Sequence, residues 1–231
     1  MKAPIIEIFS SFQGEGLWIG RRQIFVRFAG CNLDCNYCDT PESRSSDNGI
    51  SMTVDEVLEK IERLKTPDLH SISFTGGEPL LYSEFINQLV QKIDIKIMIE
   101  TNGTLPNSFR NINKMDCVSL DIKLSEHFGK DTYESIFEKE LDSVKLLIQQ
   151  NTKLYCKLVV SPSTDLNVLR KITKRLSEEV KNNSIPIVIQ PVSPIEQWKN
   201  SSNKLFTFSE VIGEYMEVLI IPQTHKLLNI E

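Results

Sequence analysis

Strand-length apolar runs alternate with helix-period segments along most of this chain, and that alternation restricts the fold more than any other feature. The runs over 23–28, 71–75, 95–100, 118–123, 154–160 and 185–190 are largely apolar, as strands buried on both faces must be. A shorter extended segment is expected at 5–9. Between the first two runs, Thr53 and Glu56 have the spacing of a capping box, and Val57, Leu58, Ile61 and Leu64 fall on one helical face. Further helices are predicted over 80–93, 133–150 and 164–182. Repeated β-α units build a parallel sheet covered by helices. Six strands do not close an eight-stranded barrel, so the expected fold is α/β, a partial TIM-type barrel of about six parallel strands. The chain is expected to form one domain over 1–231, with 1–20 as an N-terminal extension and 193–231 as a tail packed on the core. The polar segments 41–51 and 193–204 read as mobile loops.

In such a fold, functional groups gather at the carboxyl ends of the strands. Arg27 and a cysteine-rich loop follow the first strand, and Thr75-Gly76-Gly77-Glu78-Pro79 follows the second. Glu100-Thr101-Asn102-Gly103, then Asp121 and Lys123, then Gln190-Pro191 end the later ones. The loop carries Cys31, Cys35 and Cys38, a C-x3-C-x2-C spacing. Thiolates hold iron-sulfur clusters, and a four-iron cubane ordinarily takes four of them. Three ligands in one loop therefore leave one iron open to a non-protein group. Cys117 and Cys156 lie far off in apolar runs, where a thiol behaves as a small buried hydrophobe. A structural zinc site needs a further Cys or His arm, and His70, His127 and His225 are scattered singly. Five cysteines are an odd count, which disfavours a disulfide framework.

Hydrophobic residues make up 40% and charged residues 25%, ordinary values for a globular enzyme. A net charge of -5 without a basic run argues against broad nucleic-acid binding. No apolar stretch is long enough to span a bilayer, and Met-Lys-Ala-Pro does not open a secretory leader, so a cytoplasmic location is expected. Several residues carry two readings. Thr40, before Pro41, suits an N-cap or a turn as well as a ligand. Gly76-Gly77 suits a tight turn or a close ligand approach. Lys157 and Gln190, polar in apolar strands, need partners and suit either a structural hydrogen bond or a ligand at the strand ends.

The cysteine spacing, Tyr37 just before the third cysteine and Gly76-Gly77-Glu78-Pro79 together resemble the radical S-adenosylmethionine superfamily. Within it, Phe12-Gln13-Gly14-Glu15-Gly16, Phe25-Val26-Arg27, Gly30-Cys31-Asn32-Leu33 and Cys38-Asp39-Thr40 are similar to the family of 7-carboxy-7-deazaguanine synthases of queuosine biosynthesis. The likeness is strong through the first third, persists at Glu100-Thr101-Asn102-Gly103-Thr104 and becomes diffuse beyond residue 125.

The resemblance implies a lyase with a 4Fe-4S cluster on Cys31, Cys35 and Cys38, S-adenosylmethionine on the open iron, and Mg2+ on Thr40. It implies cofactor contacts from Tyr37, Cys38, Asp39, Gly77, Glu78, Asp121, Ile122, Lys123, Lys157 and Gln190. Where relatives often carry Ser-Pro-Lys, this chain has Asp121-Ile122-Lys123. The implied substrate is 6-carboxy-5,6,7,8-tetrahydropterin, contracted to 7-carboxy-7-deazaguanine with loss of ammonia after hydrogen abstraction at C6. Phe12, Gln13, Gly14, Glu15, Thr75, Glu100 and Asn102 would meet the pterin, and Arg27 its carboxylate, which a guanidinium binds bidentately. A flavodoxin or ferredoxin as electron donor and a homodimer are also implied, with no direct nucleic-acid or membrane partner. Two other functions compete: a glycyl-radical activase from the same superfamily, and a noncatalytic metal-binding module.

Overall fold

A computed structural model describes residues 1–128, 130–180 and 184–230. Among them nine strands form one sheet: β1 (Lys2–Phe12), β2 (Arg22–Phe28), β3 (Ile50–Thr53), β4 (Ser71–Gly76), β5 (Lys96–Thr101), β6 (Cys117–Asp121), β7 (Leu154–Val160), β8 (Ile187–Pro191) and β9 (Val218–Ile220), in the order β3-β1-β2-β4-β5-β6-β7-β8-β9. From β2 through β9 the pairing is parallel; β1 pairs antiparallel with β2 and β3. All six predicted parallel strands are present, and β9 adds a short seventh. The expected segment at 5–9 is a full strand, so the predicted N-terminal extension is largely woven into the sheet.

Helices α1 (Val54–Leu64), α2 (Ser83–Val90), α3 (Lys130–Gln149), α4 (Leu166–Val180), α5 (Asn203–Gly213) and α6 (Thr224–Leu228) complete the described elements. The capping box forms as spaced: Glu56 N–H donates to Thr53 Oγ1 at 3.3 Å, and Thr53 N–H to Glu56 Oε2 at 2.7 Å. Val57 and Ile61 are buried behind it, with Leu58 and Leu64 half-buried. The helix predicted over 80–93 begins later because Pro79–Tyr82 makes a 3-10 turn first. The end of the one predicted over 164–182 lies outside the described residues. One apolar core joins the outer sheet face to the helices, with Phe28 packed between Phe74, Tyr82 and Phe85. Each such side chain, once fully buried, contributes about 2 kcal/mol from removed surface.

The segment predicted as a mobile loop at 41–51 is a strap of two 3-10 turns running into β3. Its backbone binds the cysteine loop: Gly30 N–H donates to Ser43 O and Cys31 N–H to Arg44 O, at 2.8 and 3.0 Å. Polar composition misled here because the strap is held by main-chain hydrogen bonds rather than apolar burial. In 193–204, Trp198 is likewise buried and donates to Val192 O. No described helix is long and apolar enough to cross a membrane.

Candidate active site

Side chains of one parity on the parallel strands face the inside of the partial barrel. Met98, Cys117, Tyr155 and Val188 form an apolar floor. Above it Arg27, Thr75, Glu100, Asp121, Lys123, Lys157 and Gln190 line a cavity of about 470 Å³ at the carboxyl ends of the strands. The same cavity is lined by Cys31, Cys35 and Cys38, by Tyr37, Asp39 and Thr40, and by Phe12, Gln13, Gly14 and Glu15. Gly77 and Asn102 complete the predicted residues brought together there. Two are not: Glu78 and Ile122 are buried away from it. Ile122 belongs to the core on the outer sheet face, as its parity dictates.

Glu78 has a different task. Its carboxylate accepts from Leu80 N–H, Thr101 Oγ1 and Asn102 N–H at 2.9, 2.7 and 2.8 Å, tying the tips of β4 and β5 together. Burial pushes its pKa up to about 7 against those hydrogen bonds. Asn102 in turn donates to Asn32 Oδ1 at 3.0 Å, and Asn32 to Thr104 Oγ1 at 2.7 Å, so the cysteine loop is anchored on the β5 tip. Gly77 passes so close to this loop that a Cβ there would lie 2.2 Å from Gly30 O. The double glycine therefore serves chain packing as well as any ligand approach.

The thiols are free and half-buried. Burial raises Cys31 and lifts Cys35 to about 11, so both are protonated until a metal takes the proton's place. Arg44 reaches back to Cys35 O and Asp34. Among the described residues no three His, Cys, Asp or Glu side chains stand close enough to hold a single metal ion. Three thiols spread along one cavity wall without a fourth protein donor fit a cluster, which spans its ligands more widely. Gln190 supplies a second sign of fit, since its buried Oε1 has no hydrogen-bond partner among the described residues. Cys117 and Cys156 are buried, as expected of structural thiols.

Charges alternate across the cavity above its apolar floor. Lys157 Nζ contacts Glu15 Oε2 at 2.6 Å and Asp121 Oδ1 at 3.2 Å. Lys123 Nζ contacts Asp121 Oδ2 at 3.2 Å and Tyr37 OH at 2.8 Å. Burial opposes the charge on both lysines, but facing anions outweigh it and hold their pKa values well above normal. Asp121, also opposed by burial, is drawn below its usual range by Lys157 and Lys123. Glu100 is pushed up by burial, Lys157 opposing. Arg27 donates to Glu7 Oε1 at 2.7 Å, lies over the Phe9 ring and brings Nη1 to 3.5 Å from Thr40 Oγ1. The Thr40 hydroxyl caps no helix, despite Pro41, and instead donates to Asp39 Oδ1. Phe12 lines the cavity with Arg22 packed over its ring.

Sequence reasoning expected the tail to pack on the core but named none of its residues at the site. Gln223 Nε2 bridges Glu15 Oε1 and Asp39 Oδ2 at 2.7 and 3.0 Å, Lys226 reaches Asp39 at 3.2 Å, and Thr224 N–H donates to Gly14 O at 2.9 Å. Burial would raise Asp39, yet Lys226, the Gln223 amide and Lys157 bring it down to about 2. No local pattern announces these contacts, made across most of the chain's length. Glu7, which stands opposite Arg27 across β1 and β2, was missed as well; its one sequence signal is a charged residue inside the extended segment expected at 5–9.

Comparison with known proteins identifies the family. The family model for the radical SAM superfamily matches residues 25–204. A 7-carboxy-7-deazaguanine synthase of Methanothermobacter thermautotrophicus is 47% identical over all of this chain and 98% of its own length. One from Methanocaldococcus jannaschii is 39% identical over 97% of this chain and 98% of its own. Among solved structures, QueE from Escherichia coli shares the fold with a TM-score of 0.64 at 20% identity, covering 95% of this chain and 94% of its own. TYW1 with a lysine-pyruvate adduct bound gives 0.58 at 13% identity, over 84% and 74%. Near-complete coverage at such identity, over a cavity that joins the three thiols to the predicted substrate loop, leaves one assignment: the chain belongs to the 7-carboxy-7-deazaguanine synthase family of the radical SAM superfamily.

Proposed function

We propose that this chain converts 6-carboxy-5,6,7,8-tetrahydropterin to 7-carboxy-7-deazaguanine with release of ammonia, in the route to queuosine. The observation that carries it is the single cavity shared by the cysteine loop, the acceptor pair Glu15 and Glu100, and Arg27. A reduced pterin carries a donor-rich amidine edge at one end and a carboxylate at the other, and these residues offer the complement to each.

Cys31, Cys35 and Cys38 would hold the 4Fe-4S cluster, with S-adenosylmethionine beside it. Given one electron from the external donor, the two would supply a 5'-deoxyadenosyl radical with release of methionine, chemistry no side chain can provide. The protein's part is to bind, orient and exclude water. Gly77 gives the amino acid end of S-adenosylmethionine a bare backbone. Tyr37, Asp39, Asp121, Lys123, Lys157 and Gln190 surround the rest. Lys157, fixed between Glu15 and Asp121, holds both carboxylates in place and favours the ionised form of Asp121. Glu100 accepts from the pterin amidine edge, with Thr75 and Asn102 beside it. Arg27 takes the substrate carboxylate through a planar pair of N–H groups, and Phe9 limits its swing.

Thr40, whose hydroxyl caps no helix, would hold one Mg2+ beside the substrate carboxylate, in keeping with the few protein ligands magnesium takes. The protein works as one domain, as a homodimer in the cytoplasm, and draws electrons from a flavodoxin or ferredoxin. Anaerobic reconstitution with iron and sulfide, reduction, and assay with 6-carboxy-tetrahydropterin test the proposal. Turnover without any protein substrate supports it over a glycyl-radical activase. Uptake of zinc without iron, and no cleavage of S-adenosylmethionine on reduction, would sink it in favour of a noncatalytic module.

A further inference from the structure

Beneath Glu100, hydrogen-bonding side chains run in file, and their polarity is set from one end. The Glu15 backbone N–H donates to Gln13 Oε1 at 3.0 Å, and a backbone N–H can only donate. Gln13 Nε2 therefore points the other way, to Glu100 Oε1 at 2.8 Å and Gln23 Oε1 at 3.0 Å. Gln23 is fully buried on β2 and does not line the cavity. Its Nε2 donates to Ser71 Oγ at 2.8 Å, and Ser71 Oγ meets His70 Nδ1 at 2.9 Å. Met98 Sδ, at 3.5 Å from Gln23 Nε2 and 3.8 Å from Gln13 Nε2, is the soft neighbour of both amides. Reversing Gln13 would set its carbonyl against the Glu100 carboxylate and its amide nitrogen against the Glu15 N–H.

Both N–H bonds of Gln13 are thus used within the protein. Gln13, predicted to pair with the substrate, is occupied with Glu100 instead. Glu100 Oε1 is saturated, by Gln13 and by Ser73 Oγ at 2.8 Å, whereas Oε2 has Thr75 Oγ1 at 3.4 Å. The carboxylate is therefore presented with one oxygen anchored and the other able to accept.

We infer that Gln23 is a positioning residue: accepting from Gln13 and donating to Ser71, it holds Gln13 against Glu100, so that Glu100 Oε2 accepts the N–H edge of a flat, amidine-bearing heterocycle. The inference rests on the proposed function for the identity of that heterocycle, and on the geometry alone for the file itself. Losing an N–H partner of a charged acceptor costs about tenfold in affinity.

The test uses the reconstituted holoenzyme with Gln23→Met, close in length but without the amide, and Gln23→Glu. In Gln23→Met, KM for 6-carboxy-tetrahydropterin should rise about tenfold, with iron content and pterin-free cleavage of S-adenosylmethionine as in the unaltered chain. In Gln23→Glu the introduced carboxyl, while protonated, accepts and donates as the amide does. KM should therefore stay near normal at low pH and climb as that carboxyl ionises, loses its donation to Ser71 and competes with Glu100 for the Gln13 amide, a profile mere packing would not give. An unchanged KM in Gln23→Met, or loss of iron and pterin-free cleavage in both variants, overturns the inference. If Gln23→Met does not fold, the pH profile of Gln23→Glu decides. If the unaltered chain does not turn over the pterin, the proposed function has failed. The positioning role is then read from the infrared carboxyl band of Glu100 in the metal-free protein, assigned with Glu100→Gln. Losing the Gln13 acceptor in Gln23→Met, or drawing the Gln13 amide away from Glu100 onto the ionised carboxylate in Gln23→Glu, must raise the Glu100 titration; no shift overturns it.

Discussion

Replacing Lys157 by methionine keeps most of the side-chain volume and deletes the cation that Glu15 and Asp121 share. Lys157 and Glu15 are 8% and 15% exposed and Asp121 is 23% exposed, so solvent screens little of the interaction. Removing one partner of a buried ion pair costs about 3–5 kcal/mol because the other charge stays buried. Lys123 still faces Asp121, and Gln223 still donates to Glu15, which favours the low end, about 3 kcal/mol. For a chain of this size that is a fall of roughly 6–12 °C in Tm. The pH dependence has a definite sign. Asp121 has a lowered pKa, so the stability it contributes is present above its unfolded value and is lost as pH falls through the folded one. Glu100 is raised, and losing Lys157 raises it further; that penalty applies at neutral pH and fades as Glu100 protonates. The Glu100 effect makes the variant's deficit larger at pH 7.5 than at pH 5, while the Asp121 contribution, lost only at lower pH, is the same at both. Urea unfolding of the metal-free protein under reducing conditions measures it at each pH. A deficit below about 1 kcal/mol, or one of equal size at both pH values, would refute the coupling described here.

Arg27→Ala should abolish pterin turnover while the cluster still assembles and slow cleavage of S-adenosylmethionine persists without substrate; undiminished turnover would count against its carboxylate role. Thr40→Val should remove the stimulation of turnover by added magnesium, whereas a response equal to that of the unaltered chain would discard Thr40 as a ligand. In Gly14→Ala the new Cβ would lie 2.0 Å from His225 Nδ1, so α6 must shift. Amide exchange should then accelerate over 223–230 while β4 to β7 stay protected, and unchanged exchange there would show that the close contact is not maintained in solution.

The parallel strands were legible because burial on both faces demands apolar runs, and the cysteine loop because ligand spacing survives without structure. What the runs concealed was their exceptions. Ser71, Ser73 and Thr75, like Ser119, Asp121 and Lys123, recur with period two, and that parity marks the cavity side before any fold is known. Read that way, Ile122 belongs opposite its neighbours, where the structure has it. Glu78 was misjudged for another reason: a motif says that a residue is needed, and only burial and partners distinguish binding a ligand from holding a turn. The contacts of Gln223, Thr224 and Lys226 were illegible because they are tertiary, set by where β9 ends rather than by any neighbour in sequence.

The sheet's two outer strands, β3 and β9, do not pair with each other among the described residues. Between β1 and β9 the ring is completed at its upper end by Thr224 on Gly14 and Gln223 on Glu15. Such side-chain and tail contacts contribute about 1 kcal/mol each, and parting them breaks no strand ladder. The enclosure therefore has a seam, and it runs along the 13–15 loop. A flat bicyclic molecule can be admitted edge-on where the wall is stitched rather than woven, and the residues that would recognise it are the ones that must first let go.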